Sequence, residues 1–248
     1  MKIKRPFTIG IGGSHSSIGK TTLAAALIRY LSSGHTSRLF GPKPRIGAIK
    51  YTKEAIYASL IDDAEILKKK GKDTARLGEA GAKQVLWIKS VAEDLGEVMP
   101  LALQRLTELD AVIIEGNSAI EFAKPDIVIF ITGGPDADTK PSAERLKGLA
   151  DIIITAGAEA GNHAGTCIIK ELPEKVQDEE LEVIIKVMEE TAKKKEIISL
   201  LNQRAVDGKI TCGAARKIAE ELNVSYNEVG TAATDLKIKI RNCELGCF

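Results

Sequence analysis

Short aliphatic runs alternate with amphipathic stretches along the first two thirds of the chain. The runs of strand length are residues 7–11, 45–49, 84–89, 111–115, 126–131 and 151–155, with an edge strand expected at 166–169. The stretches with helical spacing are residues 21–32, 91–109 and 141–149, and residues 59–81 predict a helix followed by a loop. Alternating strands and helices are typical of βαβ units with right-handed crossovers. The pattern predicts an α/β fold with a mostly parallel, doubly wound sheet.

The pattern becomes helical after residue 170. Residues 173–195 have apolar positions at helical spacing and predict a connecting helix. Residues 196–233 are helical throughout, and residues 236–240 predict either a helix end or a small strand. We therefore expect a domain at 1–172, a connecting helix at 173–200 and a small all-helical domain at 201–248.

Composition places the chain among ordinary globular proteins. Hydrophobic residues make up 44% and aromatic residues 4%, so Ile, Val, Leu and Ala must form the core. The 35 basic residues nearly balance the 34 acidic ones, which gives no general attraction to nucleic acid or to an anionic membrane. No apolar run approaches the roughly 20 residues of a membrane span. We expect a cytoplasmic protein without a membrane partner, whose four cysteines are reduced thiols or metal ligands.

A glycine-rich loop joins the first strand to the first helix and reads GGSHSSIGKTT. Backbone N–H groups in such a loop surround the β-phosphate of a nucleotide, and the start of the helix adds its positive dipole end. The loop is one residue longer than the commoner form, since five residues separate its glycines. The predicted nucleotide-binding residues are Gly13, Ser14, His15, Ser16, Ser17, Ile18, Gly19, Lys20, Thr21 and Thr22.

Three side chains of this region have predicted roles in binding or catalysis. Lys20 neutralises the β- and γ-phosphates, and the hydroxyl of Thr21 coordinates Mg²⁺. Glu115 ends an aliphatic strand, where carboxylates meet the metal in phosphate-loop proteins, so it is predicted as a metal ligand and, with Lys20, as a catalytic group. His15 is interpreted as a residue that sets the conformation of the loop rather than as a catalytic base.

Taken together, the loop, the lysine in IGAIKYT, the strand end IIEG and the segment GKDTARLGEAGAKQVLWI resemble a known family. The set is similar to the molybdopterin-guanine dinucleotide biosynthesis protein B family, a phosphate-loop group related to dethiobiotin synthetase, over about residues 5–160. The resemblance implies a GTP-binding accessory factor that works with a molybdenum-cofactor transferase to attach GMP to molybdopterin. It also implies that Lys50 and Asp73 face the second substrate or the partner.

Two departures from the family leave part of this function open. The histidine-rich stretch that the family commonly has after Lys50 is absent, and no guanine motif with an aspartate appears near Thr139 and Lys140. The choice between GTP and ATP therefore rests on the resemblance alone. The alternatives are an ATP-dependent metabolic enzyme of the dethiobiotin synthetase kind and a nucleotide-gated regulator.

The C-terminal region has the pattern of a helix-turn-helix. Its helices are expected at residues 214–222 and 225–233, with Ser225 as the N-cap of the second. Residues 201–248 hold seven basic and six acidic side chains, a net charge of +1, without the basic stripe of a DNA reader. That balance favours a module that docks a protein or forms a homodimer over one that binds DNA.

Three of the four cysteines lie in this C-terminal region, namely Cys212, Cys243 and Cys247. Three thiolates from one small domain are candidate ligands for zinc or an iron–sulfur cluster. Because a fourth ligand is not evident and the spacing between Cys243 and Cys247 is long, structural thiols are favoured over a metal site.

Overall fold

A computed structural model of the chain describes residues 5–35, 37–54, 57–133, 141–156, 166–169 and 175–242. The chain forms two compact units, Met1–Met188 and Glu189–Phe248. The predicted domain limits at residues 172 and 200 stay predictions. None of the helices in the described part combines the length and the apolar character that a membrane span requires.

The described part of the first unit contains an eight-stranded sheet. Its strands are β1 (Phe7–Gly13), β2 (Ile46–Lys53), β3 (Ser59–Ile61), β4 (Gln84–Ser90), β5 (Ala111–Glu115), β6 (Ile127–Thr132), β7 (Ile152–Ala156) and β8 (Thr166–Ile169). Their order is β3-β4-β2-β5-β1-β6-β7-β8, and every neighbouring pair is parallel except β3 with β4. This is the mostly parallel α/β sheet that the alternating pattern predicted.

Helices cover the sheet in the first unit. They are α1 (Lys20–Ser32), α2 (Ala64–Leu67), α3 (Asp73–Glu79), α4 (Leu95–Arg105), α5 (Asn117–Ala123) and α6 (Pro141–Gly148). Helix α7 (Asp178–Arg204) begins in the first unit and continues into the second. Strands β5 and β6 are buried at every position, as expected for interior strands of a sheet covered on both faces. Because β1, β2, β4 and β5 run parallel to one another, their carboxyl ends meet at one edge of the sheet. The candidate site lies at this edge.

The prediction of one helix and a loop over residues 59–81 was wrong in detail. The structure has the short strand β3 followed by two helices, α2 and α3. Strand β3 is three residues long and pairs only with β4, so it carries too few positions for a period-2 pattern to be visible. Asp63 then caps α2 by accepting hydrogen bonds from the backbone N–H groups of Glu65 and Ile66.

The C-terminal unit contains the two predicted helices, α8 (Cys212–Leu222) and α9 (Tyr226–Asp235). Ser225 is the N-cap of α9 as predicted, and it forms a capping box with Glu228. The hydrogen bonds from Lys193 and Ser225 lower the pKa of Glu228 to about 2. The unit also contains a parallel pair of strands, β9 (Lys209–Thr211) and β10 (Lys239–Arg241), so residues 236–240 include part of a small strand. The expectation that this region is all-helical was wrong at these strands, which are three residues long and too short for a local pattern to reveal.

Candidate nucleotide-binding site

The glycine-rich loop lies between β1, which ends at Gly13, and α1, which begins at Lys20. Gly19 has a φ of 101°, a left-handed conformation that favours glycine, and its lack of a side chain leaves the first turn of α1 without a side-chain cap. Unpaired N–H groups at the start of a helix are donors to an anion. The loop therefore presents main-chain donors at the carboxyl edge of the sheet.

Gly13 packs closely against the side chain of Ile18 and the backbone of β6. A Cβ at this residue would lie 2.6 Å from Cγ2 of Ile18 and 3.2 Å from the carbonyl oxygen of Ile131. The N–H of Ser14 donates to that same carbonyl at 2.9 Å, which fixes the chain as it enters the loop. These contacts explain why the glycine is at residue 13, one position earlier than in the commoner loop.

The side chain of Lys20 lies across the loop. Its Nζ donates to the carbonyl oxygen of His15 at 2.6 Å, and Nδ1 of His15 is 2.6 Å from the carbonyl oxygen of Ser16. Ser14 is buried, and its Oγ has no hydrogen-bond partner among the described residues. The loop thus contains a cation and a buried hydroxyl, and both are groups that bind a phosphate oxygen.

Glu115 is buried at the end of β5, with 2% of its side chain exposed. Its carboxylate accepts a hydrogen bond from Oγ1 of Thr21, which lies 2.9 and 3.0 Å from the two carboxylate oxygens. Nζ of Lys50 lies 2.5 Å from Oε1 of Glu115 and 2.7 Å from Oδ2 of Asp73. Four residues that are far apart in the sequence therefore form one chain of contacts, from Thr21 through Glu115 and Lys50 to Asp73.

The charges of Lys50, Glu115 and Asp73 stabilise one another. Desolvation by burial lowers the pKa of Lys50, but the attraction and hydrogen bonds of Glu115 and Asp73 outweigh it, so the pKa is raised above its ordinary value. Desolvation raises the pKa of Asp73, but Lys50, Arg76 and Thr21 outweigh it and the pKa is lowered. Lys50 and Asp73 are therefore both ionised at neutral pH.

The lowered pKa of Asp73 predicts how stability depends on pH. A carboxyl group whose pKa is lower in the folded than in the unfolded protein stabilises the fold above its ordinary pKa of 3.8, and this contribution is lost as the pH falls through the folded value. The difference in free energy of unfolding between wild type and Asp73→Asn should be constant from about pH 5 to 7 and shrink below about pH 4. Urea unfolding across this range tests it, and a difference that stays constant in acid would contradict it.

Sequence reasoning missed two residues that contact the loop. Asn117 accepts a hydrogen bond from the N–H of Gly13 and donates one to its carbonyl oxygen, both at 3.0 Å. Nη2 of Arg76 donates to Oγ1 of Thr22 at 3.0 Å. The available signals were the position of Asn117 two residues after Glu115 and the position of Arg76 one helical turn after Asp73.

Gly116 allows the chain to leave β5 close to the site. Its φ is 131°, and a Cβ there would lie 3.0 Å from Cβ of Tyr51. A side chain at this position would therefore be strained, because the φ angle favours glycine and because Tyr51 leaves too little room for a Cβ. Glu115 and Asn117 keep their positions on either side because the residue between them is glycine.

The cysteine hypothesis is tested only in part. Cys212 lies at the start of α8, whereas Cys243 and Cys247 are outside the described residues. Within the described ranges, no group of three or more His, Cys, Asp and Glu side chains is placed to hold a metal ion. The metal site at Cys212, Cys243 and Cys247 stays a prediction.

Comparison with known proteins gives one family. The family model described as molybdopterin guanine dinucleotide synthesis protein B matches residues 8–151, which include the loop, Lys50, Asp73 and Glu115. No curated protein matches the chain by sequence. Among solved structures, the chain is similar to the signal recognition particle 54 kDa protein from Aeropyrum pernix in complex with GDP, with 13% identity, a TM-score of 0.37, and coverage of 94% of this chain and 77% of that one.

Proposed function

The chain belongs to the molybdopterin guanine dinucleotide synthesis protein B family, and from that premise we propose that it is a slow, Mg²⁺-dependent GTPase that assists synthesis of this dinucleotide. The single observation that carries the proposal is the chain of contacts from Thr21 through Glu115 to Lys50, beside a loop that presents main-chain donors. A triphosphate needs a cradle of N–H groups, a cation and a metal site in one place. The loop and this chain of contacts supply residues for all three.

Lys20 and the loop have the phosphate-binding role in this proposal. The bond from Nζ of Lys20 to the carbonyl oxygen of His15 is within the loop, so an arriving phosphate exchanges that acceptor for its own oxygen. An ammonium group binds an anionic phosphate oxygen more strongly than a neutral carbonyl oxygen. The N-terminus of α1 adds a positive partial charge on the same side.

The residues around Glu115 fit a magnesium ion. Mg²⁺ takes oxygen ligands, usually one or two from the protein with the rest from phosphate and water, and the hydroxyl of Thr21 and the carboxylate of Glu115 are such ligands. The carboxylates of Glu115 and Asp73 already hold the ammonium group of Lys50, so the position suits a cation. When bound there, the ion would neutralise charge on the β- and γ-phosphates.

Lys50 joins Glu115 to Asp73, and Asp73 also binds the hydroxyl of Thr21, so these contacts close into a ring. We place the second substrate, or the transferase partner, next to Lys50 and Asp73. Lys50 then contributes a positive charge between the nucleotide and the second molecule, and Asp73 holds the side chain of Lys50 in position. Catalysis consists of positioning and charge stabilisation, which accounts for a slow intrinsic rate without the partner.

GTP is the proposed nucleotide because the product of the family contains a guanine nucleotide. We expect Mg–GTP at about 100 times its dissociation constant to stabilise the protein by about 2.7 kcal/mol, which corresponds to a rise of several degrees in Tm. ATP at the same concentration should give a much smaller rise. A thermal-shift titration with each nucleotide measures the difference, with GDP as a further arm.

The outcomes of this titration separate the functions. A shift with ATP alone would favour an ATP-dependent enzyme of the dethiobiotin synthetase kind over the proposed role. The absence of a shift with either nucleotide would contradict nucleotide binding as a whole.

A further inference from the structure

Lys50 and Thr21 bind the same two carboxylates. Oε1 of Glu115 accepts a hydrogen bond from Oγ1 of Thr21 at 3.0 Å and lies 2.5 Å from Nζ of Lys50. Asp73 holds Nζ of Lys50 through Oδ2 at 2.7 Å and also accepts a hydrogen bond from the hydroxyl of Thr21. The ammonium group of Lys50 therefore shares both of its partners with the hydroxyl that is proposed to bind Mg²⁺.

The three charged side chains differ in their access to solvent. The exposed fraction is 2% for Glu115, 15% for Lys50 and 44% for Asp73. A buried carboxylate is stable only when a cation or several hydrogen bonds compensate for the lost water, whereas a half-exposed one is also solvated. Glu115 therefore depends on a cation beside it, and the ion pair that the described part of the chain provides is the one with Lys50.

An ammonium group and a metal ion compete for Glu115. Mg²⁺ carries twice the charge of an ammonium group and takes oxygen ligands at about 2.0–2.1 Å, so a buried carboxylate is neutralised by either cation but not by both without repulsion between them. Like charges a few ångströms apart repel strongly where little water screens them. Once the metal site at Thr21 and Glu115 is filled, Lys50 loses the attraction of Glu115 and keeps that of Asp73.

We propose that Lys50 is an internal substitute for the metal ion, which neutralises Glu115 in the free protein and leaves Glu115 for Asp73 when the Mg²⁺-bound nucleotide binds. The inference rests on the proposed function and adds an order of binding to it. Asp73 is more exposed than Glu115, so Lys50 turns towards solvent only after the nucleotide is bound. The second molecule therefore meets the released ammonium group only in the loaded protein, and the free protein has no tight site for Mg²⁺ alone.

Thermal shifts with Mg²⁺ in the absence of nucleotide test the substitution in the full-length chain. The probe is MgCl₂, with NaCl at equal ionic strength as its control. We expect MgCl₂ to change the Tm of wild type by less than about 1 °C, because Lys50 already neutralises the carboxylates. Lys50→Gln keeps a polar side chain but removes the cation, so MgCl₂ should bind and raise the Tm of this variant by about 3–5 °C in a saturable manner.

Further variants locate the response. Lys53→Gln makes the same change at an exposed lysine at the end of β2 and should be as insensitive to MgCl₂ as wild type. Lys50→Arg keeps a cation and should also be insensitive. Lys50→Gln combined with Glu115→Gln removes one carboxylate and should lose most of the rise in Tm. If Lys50→Gln is unfolded without metal, circular dichroism measures whether MgCl₂ restores the fold, which is the expected result.

Each outcome supports or overturns the substitution. A saturable rise in Tm of wild type with MgCl₂ alone overturns it, and so does a Lys50→Gln variant that MgCl₂ neither stabilises nor refolds. A rise that survives in the double variant places the metal elsewhere and overturns it as well. Because nucleotide is absent, the proposed function is tested separately. Stabilisation of wild type by GTP beside an insensitive Lys50→Gln leaves that function intact, whereas a sensitive Lys50→Gln in a protein that GTP does not stabilise contradicts the function alone.

Discussion

Replacing Lys20 with alanine should abolish the stabilisation of the folded protein by GTP. The change removes the ammonium group that is proposed to bind the β- and γ-phosphates, while the loop keeps its glycines. At a GTP concentration that stabilises wild type by about 2.7 kcal/mol, the expected rise in Tm is about 5–10 °C for wild type and close to zero for Lys20→Ala. Differential scanning fluorimetry with Mg–GTP measures both.

The matched control for this experiment is Lys186→Ala, which removes an exposed lysine from helix α7. This variant should keep the full rise in Tm. The Tm of Lys20→Ala without nucleotide should stay near that of wild type, because the hydrogen bond from Lys20 to the carbonyl oxygen of His15 is exposed. A full GTP-dependent shift in Lys20→Ala would mean that the nucleotide does not bind at the loop.

Replacing Glu115 with alanine should destabilise the protein by about 3 kcal/mol, because removal of one partner of a buried ion pair leaves the other charge without compensation. Glu115 is almost fully buried, and Lys50, with 15% of its side chain exposed, would keep only Asp73 as a partner. Thr21 would also lose Glu115 as an acceptor of its hydroxyl and keep only Asp73. Urea unfolding at neutral pH measures the change in free energy of unfolding.

A double variant separates the ion pair from the packing around it. Glu115→Ala combined with Lys50→Met removes both charges, and it should be more stable than Glu115→Ala alone because no unpaired ammonium group remains. Glu115→Gln keeps a hydrogen-bond acceptor for Thr21 and should fall between wild type and Glu115→Ala. A cost below about 1 kcal/mol for Glu115→Ala would show that the buried pair contributes little.

The sequence was sufficient for the part of the site that is local in the chain. The loop, the start of α1 and the end of β5 are each contiguous, so periodicity and residue type predict their positions. Strands of four to eight residues were predicted for the same reason. The three-residue strand β3 was not, because its only support is a pairing with β4 that no local pattern reveals.

Contacts between distant segments required the structure. The pairing of Lys50 with Glu115 depends on β2 lying beside β5 in one register, and neither the strand order nor the register is encoded locally. The same holds for Asn117 against Gly13 and for the approach of Lys72 and Lys89 to Trp87. The family resemblance had already assigned Lys50 and Asp73 to one side of the nucleotide, but it gave no role to Asn117.

The helices of the C-terminal unit could be predicted from the sequence, whereas the molecule that this unit binds could not. Alanine-rich periodicity and the Ser225–Glu228 capping box define α8 and α9 locally. The choice among a docking module, a homodimer contact and a DNA reader depends on a surface whose charges are close to balanced. That choice stays a prediction, as does the location of the protein in the cytoplasm.

The most direct test of the account is a crystal structure of the chain with Mg²⁺ and a non-hydrolysable GTP analogue. We expect the β-phosphate to lie among the backbone N–H groups of residues 14–21. We also expect Nζ of Lys20 to move from the carbonyl oxygen of His15 to the phosphates and the metal to lie beside Thr21 and Glu115. An analogue bound elsewhere, with Lys20 still on His15, would contradict it.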